Sequence, residues 1–181
     1  MTRYVALFRG INVGKAKRIA MADLRSLFGK LGYTDVQTLL NSGNAVFSGD
    51  AAPASKHADR IRQAVLKKTG VDAMVIVKSA KDIEAIIAGN ELGPAADDHS
   101  RLLVAVCSEA KALAAVKKLT SQPWGDEKLH VGKHAAYLWC ANGILESKAL
   151  GVLLKGLEGA GTTRNWATLN KIHALMGEKK A

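Results

Sequence analysis

Proline is close to absent from this 181-residue chain, with three in all, and no low-complexity run interrupts it. Both features argue against disorder. Cysteine is as rare: Cys107 and Cys140 each sit inside an apolar run and read as buried, reduced thiols, not a disulfide. No stretch approaches 18 uninterrupted apolar residues, which excludes a transmembrane helix and a membrane partner. Met1-Thr2-Arg3 runs straight into a strand pattern without secretory architecture, so cytoplasm is the expected compartment. Chemical signatures are missing too. There is no zinc-spaced Cys/His cluster, no Gly-x-Ser-x-Gly elbow and no acid/base pair of carboxylates; Asp97-Asp98 reads as a solvated linker pair. Neither a metal nor a cofactor is expected.

What the chain does have is apolar content, 48%, enough for a real core in one domain or two small ones, and 23% charged residues. It also has positive charge, unevenly spread. The net charge is +10, of which residues 1–80 contribute +8 through 13 Lys/Arg against 5 Asp/Glu. A basic half attracts phosphate-bearing partners by field alone, although exposed lysines also serve solubility.

Hydrophobic periodicity orders the first half as β-α-β-β-α-β. Tyr4 to Phe8 is a strand. Met21, Leu24, Leu27, Phe28 and Leu31 make a helix stopped at Gly32. Val36–Leu40 and Ala45–Phe47 are strands around an Asn41-Ser42-Gly43-Asn44 turn. Ser55 is read as the cap of a second helix ending at Gly70, and Ala73 to Val77 as the fourth strand. This is the split βαβ, ferredoxin-like pattern.

Ser79 and Asp82 form a capping-box start for a connecting helix, and Gly89 to Ser100 reads as linker. The order then begins again. Leu102 to Val106 is a strand, and Ser108 is read as a cap. Leu129 to Val131 and Ala135 to Trp139 form a hairpin about Gly132-Lys133, Ser147 caps a helix, and only Gly161-Thr162-Thr163 remains for a last strand. The fold class is therefore α+β: two ferredoxin-like βαββαβ units in tandem, the second imperfect, with a C-terminal helix. The bounds are 3–78, a connecting helix and linker over 79–100, and 101–181.

Gly10 to Ala16 invites a P-loop reading and fails it. Three residues separate Gly10 from Gly14 where four are needed, and Ala16 replaces the Mg²⁺-binding hydroxyl. The segment still suits an anion loop or a plain strand-to-helix turn, with Arg9 and Lys15 bringing charge near a helix start. His130 and His134 flank the second hairpin. With a two-residue turn His130 pairs with Ala135, putting the imidazoles on opposite faces. His57 stands alone. Tyr137 and Trp139 alternate on a strand and suit core packing better than base stacking. At Thr162 to Thr168, capping accounts for Thr163 or Asn165 but not for Arg164.

Five segments, taken in order, carry a resemblance: Arg9 to Gly14, Met21 to Arg25, Ser42 to Phe47, Tyr137 to Trp139 with Gly143 and Ser147-Lys148, and Thr163 to Trp166. Together they resemble the bacterial family catalogued as domain of unknown function 1697, over nearly the whole chain. The resemblance implies a pair of α–β plaits and no activity. Lys15 and Ala20 depart from the usual pattern, which has Gly and Pro there.

Three readings of function follow. The first is a binding module for a phosphate-bearing small molecule or nucleic acid, using the basic Gly/Asn loop. Its candidate residues are Arg9, Gly10, Asn12, Gly14 and Lys15, then Ser42, Gly43 and Asn44, and finally Arg164, Asn165 and Trp166. The second is an enzyme on a small anionic substrate, with Arg9, Asn12, Asn44, Arg164 and Asn165 as donors and no obvious nucleophile or base. The third is a structural or protein-binding role.

Overall fold

The computed structural model of the chain describes residues 1–13, 17–41, 43–93 and 98–177. The elements of the first half are β1 (Thr2–Arg9), α1 (Met21–Lys30), β2 (Thr34–Leu39), β3 (Asn44–Gly49), α2 (Ala54–Thr69), β4 (Met74–Ser79) and α3 (Ala80–Ala88). Those of the second are β5 (Leu102–Cys107), α4 (Ala110–Val116), a 3₁₀ turn (Lys117–Ser121), β6 (Lys128–Val131), β7 (Ala136–Trp139), α5 (Lys148–Gly156), β8 (Gly161–Asn165) and α6 (Trp166–Gly177). The fold is α+β, with two four-stranded antiparallel sheets ordered β2-β3-β1-β4 and β6-β7-β5-β8. The chain divides into two compact units, Met1–Ile83 with the segment from Ile172, and Glu84–Lys171. Among the described residues no helix is long and apolar enough to cross a membrane.

In the first unit β1 is central, pairing with β3 and β4. Its uninterrupted apolar run is buried on both faces. Tyr4, Ala6 and Phe8 share one cluster with Leu24, Leu27 and Phe28 of α1 and with Ile61 and Val65 of α2, so both helices cover the same face. α1 ends in a Schellman turn. Gly32 adopts φ +81, its N–H donates to the Gly29 carbonyl at 2.9 Å, and the Tyr33 N–H donates to the Phe28 carbonyl at 3.1 Å. The accompanying apolar contact is aromatic, with the Phe28 and Tyr33 rings 5.6 Å apart. β2 starts earlier than its pattern predicts and stops at Leu39. A bulge falls between Thr34 and Gln37, and Leu40 has turned to φ +58.

The predicted cap at Ser55 is corrected. α2 begins at Ala54 behind Pro53, with no side-chain cap. Ser79 and Asp82 do cap reciprocally, Ser79 N–H to the Asp82 carboxylate at 2.9 Å and Asp82 N–H to Ser79 Oγ at 3.2 Å.

In the second unit Leu103, Ala105 and Cys107 of β5 pack with Leu113 and Val116 of α4 and with Ala149 and Leu153 of α5. Ser147 caps α5, accepting from the Leu150 N–H at 3.0 Å. Ser108 does not cap α4; its hydroxyl donates to the Ala160 carbonyl at 3.2 Å. The hairpin register is also corrected. Val131 pairs with Ala136 and His130 with Tyr137, so the connection runs from Gly132 to Ala135. The last strand is longer than its sequence signal and includes Arg164, which pairs with Val104. Cys107 and Cys140 are both buried, and burial pushes the Cys140 thiol up. Of the linker pair, Asp97 lies outside the described residues.

Candidate functional site

The basic loop leaves β1 at Arg9, a half-buried residue opposite Met74 in the sheet. Gly10 takes φ +70 and Asn12 φ +56, left-handed conformations in which glycine and asparagine are the residues of lowest cost. Asn12 then fastens the loop to its surroundings. Its amide nitrogen donates to the carbonyls of Ile19 at 2.9 Å and Asn41 at 2.8 Å, and its oxygen accepts from the Ile19 N–H at 2.8 Å. Gly14 and Lys15, and Ser42 in the neighbouring turn, lie outside the described residues.

The turn after β2 meets the loop directly. The Phe8 N–H donates to the Gly43 carbonyl at 2.9 Å. Gly43 sits at φ +85, and a Cβ there would lie 2.6 Å from Ile11 Cδ1 and 2.7 Å from Phe8 Cβ. Only glycine fits so close an approach. Asn44 faces inward: it is fully buried and its amide donates to the Leu39 carbonyl at 2.8 Å. Loop and turn meet at one end of β1, and both asparagine amides are used to hold backbone.

The same end of the unit opens a cleft of about 350 Å³ lined by Asn12, Arg18, Ile19, Ala20, Met21 and Asn41. Met21 is the first residue of α1, and the extended Ala20 before it supplies no side-chain cap. The uncapped start of the helix, the positive end of its dipole, thus lies at the cleft with an exposed arginine, and Asp23 is the acidic residue of its first turn. Arg18 belongs to the basic run Arg9, Lys15, Lys17 and Arg18 that the sequence sets beside a helix start, whereas Met21 falls outside the binding residues read from sequence. A helix start at Met21 with only Ala20 before it, and so no capping side chain, is the signal that finds Met21.

The late segment behaves differently. Arg164 is buried, its Nη1 donating to the Thr162 hydroxyl at 3.0 Å and the Thr163 carbonyl at 2.8 Å. Burial lowers its guanidinium to about 10. Asn165 is the cap of α6, its Oδ1 accepting from the Thr168 N–H at 2.8 Å, and the half-buried Trp166 opens that helix. Tyr137 is buried, its hydroxyl donating to the Ile86 carbonyl, and its phenol is pushed up to about 12 by burial and then by Glu91. It is core, not a stacking face. His130 lies 3.5 Å from Glu91 and stacks on Tyr137 at 5.9 Å. Among the described residues no group of three or more His, Cys, Asp or Glu is placed to hold a metal.

Three comparisons bear on this arrangement. The sequence pattern of the family described as protein of unknown function (DUF1697) matches residues 1–137. A solved structure, that of the conserved bacterial protein SP0830 from Streptococcus pneumoniae, is similar at 25% identity and a TM-score of 0.79, covering 97% of this chain and 98% of that one. No functionally curated protein matches.

Proposed function

The chain belongs to the DUF1697 family, whose description carries no activity, and from its own geometry we propose that it is a binding module for a phosphate-bearing ligand. The carrying observation is the cleft lined by Arg18 and by Met21 at the uncapped start of α1, whose first turn also holds Asp23. Helix amino termini favour anions because their orphan N–H groups and dipole act together. Arg9, Lys15 and Lys17 add to the field of a half that carries +8. Asn12 serves by fixing the loop and Gly43 by letting loop and turn close-pack. Ligand contact falls to Arg18 and the α1 backbone.

The scaffold supports a finer reading as well. The βαββαβ order of each unit, with strand orders β2-β3-β1-β4 and β6-β7-β5-β8, favours two ferredoxin-like units in tandem. The enzyme reading gains nothing from the site. The amides of Asn12 and Asn44 are committed to backbone carbonyls, and Arg164 is bonded within its own strand.

Titration with a short single-stranded oligonucleotide at two salt concentrations tests the proposal. A Lys15→Ala, Lys17→Ala, Arg18→Ala variant stays folded and binds more weakly. Its salt slope is shallower by about 0.7 for each phosphate that is no longer neutralised. Overlaid curves for wild type and variant, or no saturable wild-type binding at low salt, end the binding-module reading.

A further inference from the structure

A second pocket of the first unit, about 260 Å³, lies between the end of α1 and the first turns of α2. Tyr33, Asp50, Lys56, His57 and Arg60 are among its lining residues. The Schellman turn at Gly32 delivers Tyr33 to it. Lys56 and Arg60, four apart, fall on one face of α2 with His57 beside them. The guanidinium carbon of Arg60 stands 5.5 Å from the Tyr33 ring centroid.

His57 is only 5% exposed, and both of its ring nitrogens are engaged. Nδ1 lies 2.9 Å from the Tyr33 hydroxyl, and Nε2 lies 3.2 Å from the carbonyl oxygen of Asp50. A carbonyl only accepts, so Nε2 carries a hydrogen. In the neutral ring Nδ1 is then the acceptor, and the Tyr33 hydroxyl hydrogen is committed to it. Adding a proton to Nδ1 reverses that bond. Nδ1–H donates to the Tyr33 oxygen, and the phenol hydrogen turns to another acceptor.

The groups facing His57 settle which acceptor is suited. Lys56 and Arg60 come from α2, Asp50 follows β3, and Tyr4 of β1 and Tyr33 lie with ring centroids 4.6 and 5.5 Å from the imidazole. The Tyr4 hydroxyl is occupied by Ala52, donating to its carbonyl at 3.1 Å and accepting from its N–H at 3.3 Å. Counting Lys56, Arg60 and Asp50, the lining carries one net positive charge with His57 neutral and two with it protonated. Protonation thus adds both charge and a donor, and an anion is the ligand that uses both.

We propose that this pocket is a proton-linked site for a small oxyanion, with Lys56 and Arg60 supplying charge and Tyr33 a hydrogen bond that protonation of His57 releases. His57 is the positioning residue. The site is separate from the cleft at the start of α1 and stands without it.

Sulfate is the probe, because it keeps its charge across the range in which imidazoles titrate, where phosphate does not. Amide chemical shifts of the full chain are followed during sulfate titrations at about pH 8 and about pH 5.5, at fixed ionic strength. Shifts at Lys56, His57 and Arg60 are expected, with a dissociation constant about five-fold or more tighter at the lower pH. Tyr33→Phe and His57→Gln should flatten that pH dependence, and Lys56→Ala with Arg60→Ala should remove the binding. A wild-type constant that does not change with pH overturns the proposal. So do shifts confined to Met21–Asp23, which would leave the α1 cleft standing. If Tyr33→Phe does not fold, the wild-type pH series and the Lys56/Arg60 variant decide.

Discussion

The side-chain amide of Asn12 donates to the carbonyl of Asn41 at 2.8 Å, making the loop after β1 and the turn after β2 one piece of structure. The same side chain also holds Ile19 through its carbonyl and its N–H. Asn12→Ala removes all three bonds, strands the N–H of a buried residue and keeps a left-handed backbone that alanine disfavours. Its cost should be about 2–3 kcal/mol in urea unfolding. A loss under about 0.5 kcal/mol would show that the loop holds itself.

Gly43→Ala tests the close approach of turn and loop. The new Cβ would sit 2.6 Å from Ile11 and 2.7 Å from Phe8, at a φ of +85. The neighbouring atoms belong to buried side chains, which have little room to yield. Destabilisation above about 2 kcal/mol is expected, and because the α1 cleft adjoins this turn, ligand affinity should fall with it. Unaltered thermal stability would contradict the packing described for this turn.

Tyr137 makes stability depend on alkaline pH. Its phenol is raised from 10.0 to about 12, so the folded chain holds a proton that the unfolded chain gives up first. The contribution is complete below pH 10 and is lost as pH rises toward 12. The loss amounts to about 2–3 kcal/mol. Tyr137→Phe should be less stable at neutral pH, because the Ile86 carbonyl loses its donor, and should decline less steeply above pH 10. Parallel wild-type and variant profiles of stability against pH would refute this.

Ser79→Ala breaks the reciprocal cap at the start of α3 and should cost about 1 kcal/mol. Ser55→Ala, by contrast, should be within about 0.5 kcal/mol of wild type, since no side chain caps α2. Chemical unfolding of the pair separates a cap in sequence from a cap in space.

That contrast marks what local sequence reveals. Gly32, Gly70, Ser147 and the Ser79/Asp82 pair are readable because each acts within a few residues of itself. Ser108 misleads because its hydroxyl is claimed by Ala160, far along the chain. The Gly132-Lys133 pair resembles a two-residue turn, yet the Gly132 N–H donates to the Ala135 carbonyl at 2.9 Å and shifts the register of His130. β8 has too little apolar pattern to signal its length, and pairing with β5 creates it. At the candidate site the residue types are legible but their direction is not. Nothing local says that Asn44 turns inward to Leu39, or that His57, solitary in the sequence, meets a tyrosine 24 positions away.

The segment from Ile172 belongs to the first unit, and within it Arg3 Nη2 donates to the Leu175 carbonyl at 3.3 Å. During synthesis, then, β1 through β4 emerge and pair long before their last partner exists. All of residues 84–171 must leave the ribosome before the segment from Ile172 can join the first unit. Pairings of such long sequence separation form late and slowly. The unit that is translated first is therefore the one completed last, and a nascent chain stalled inside the second unit holds an unfinished first one.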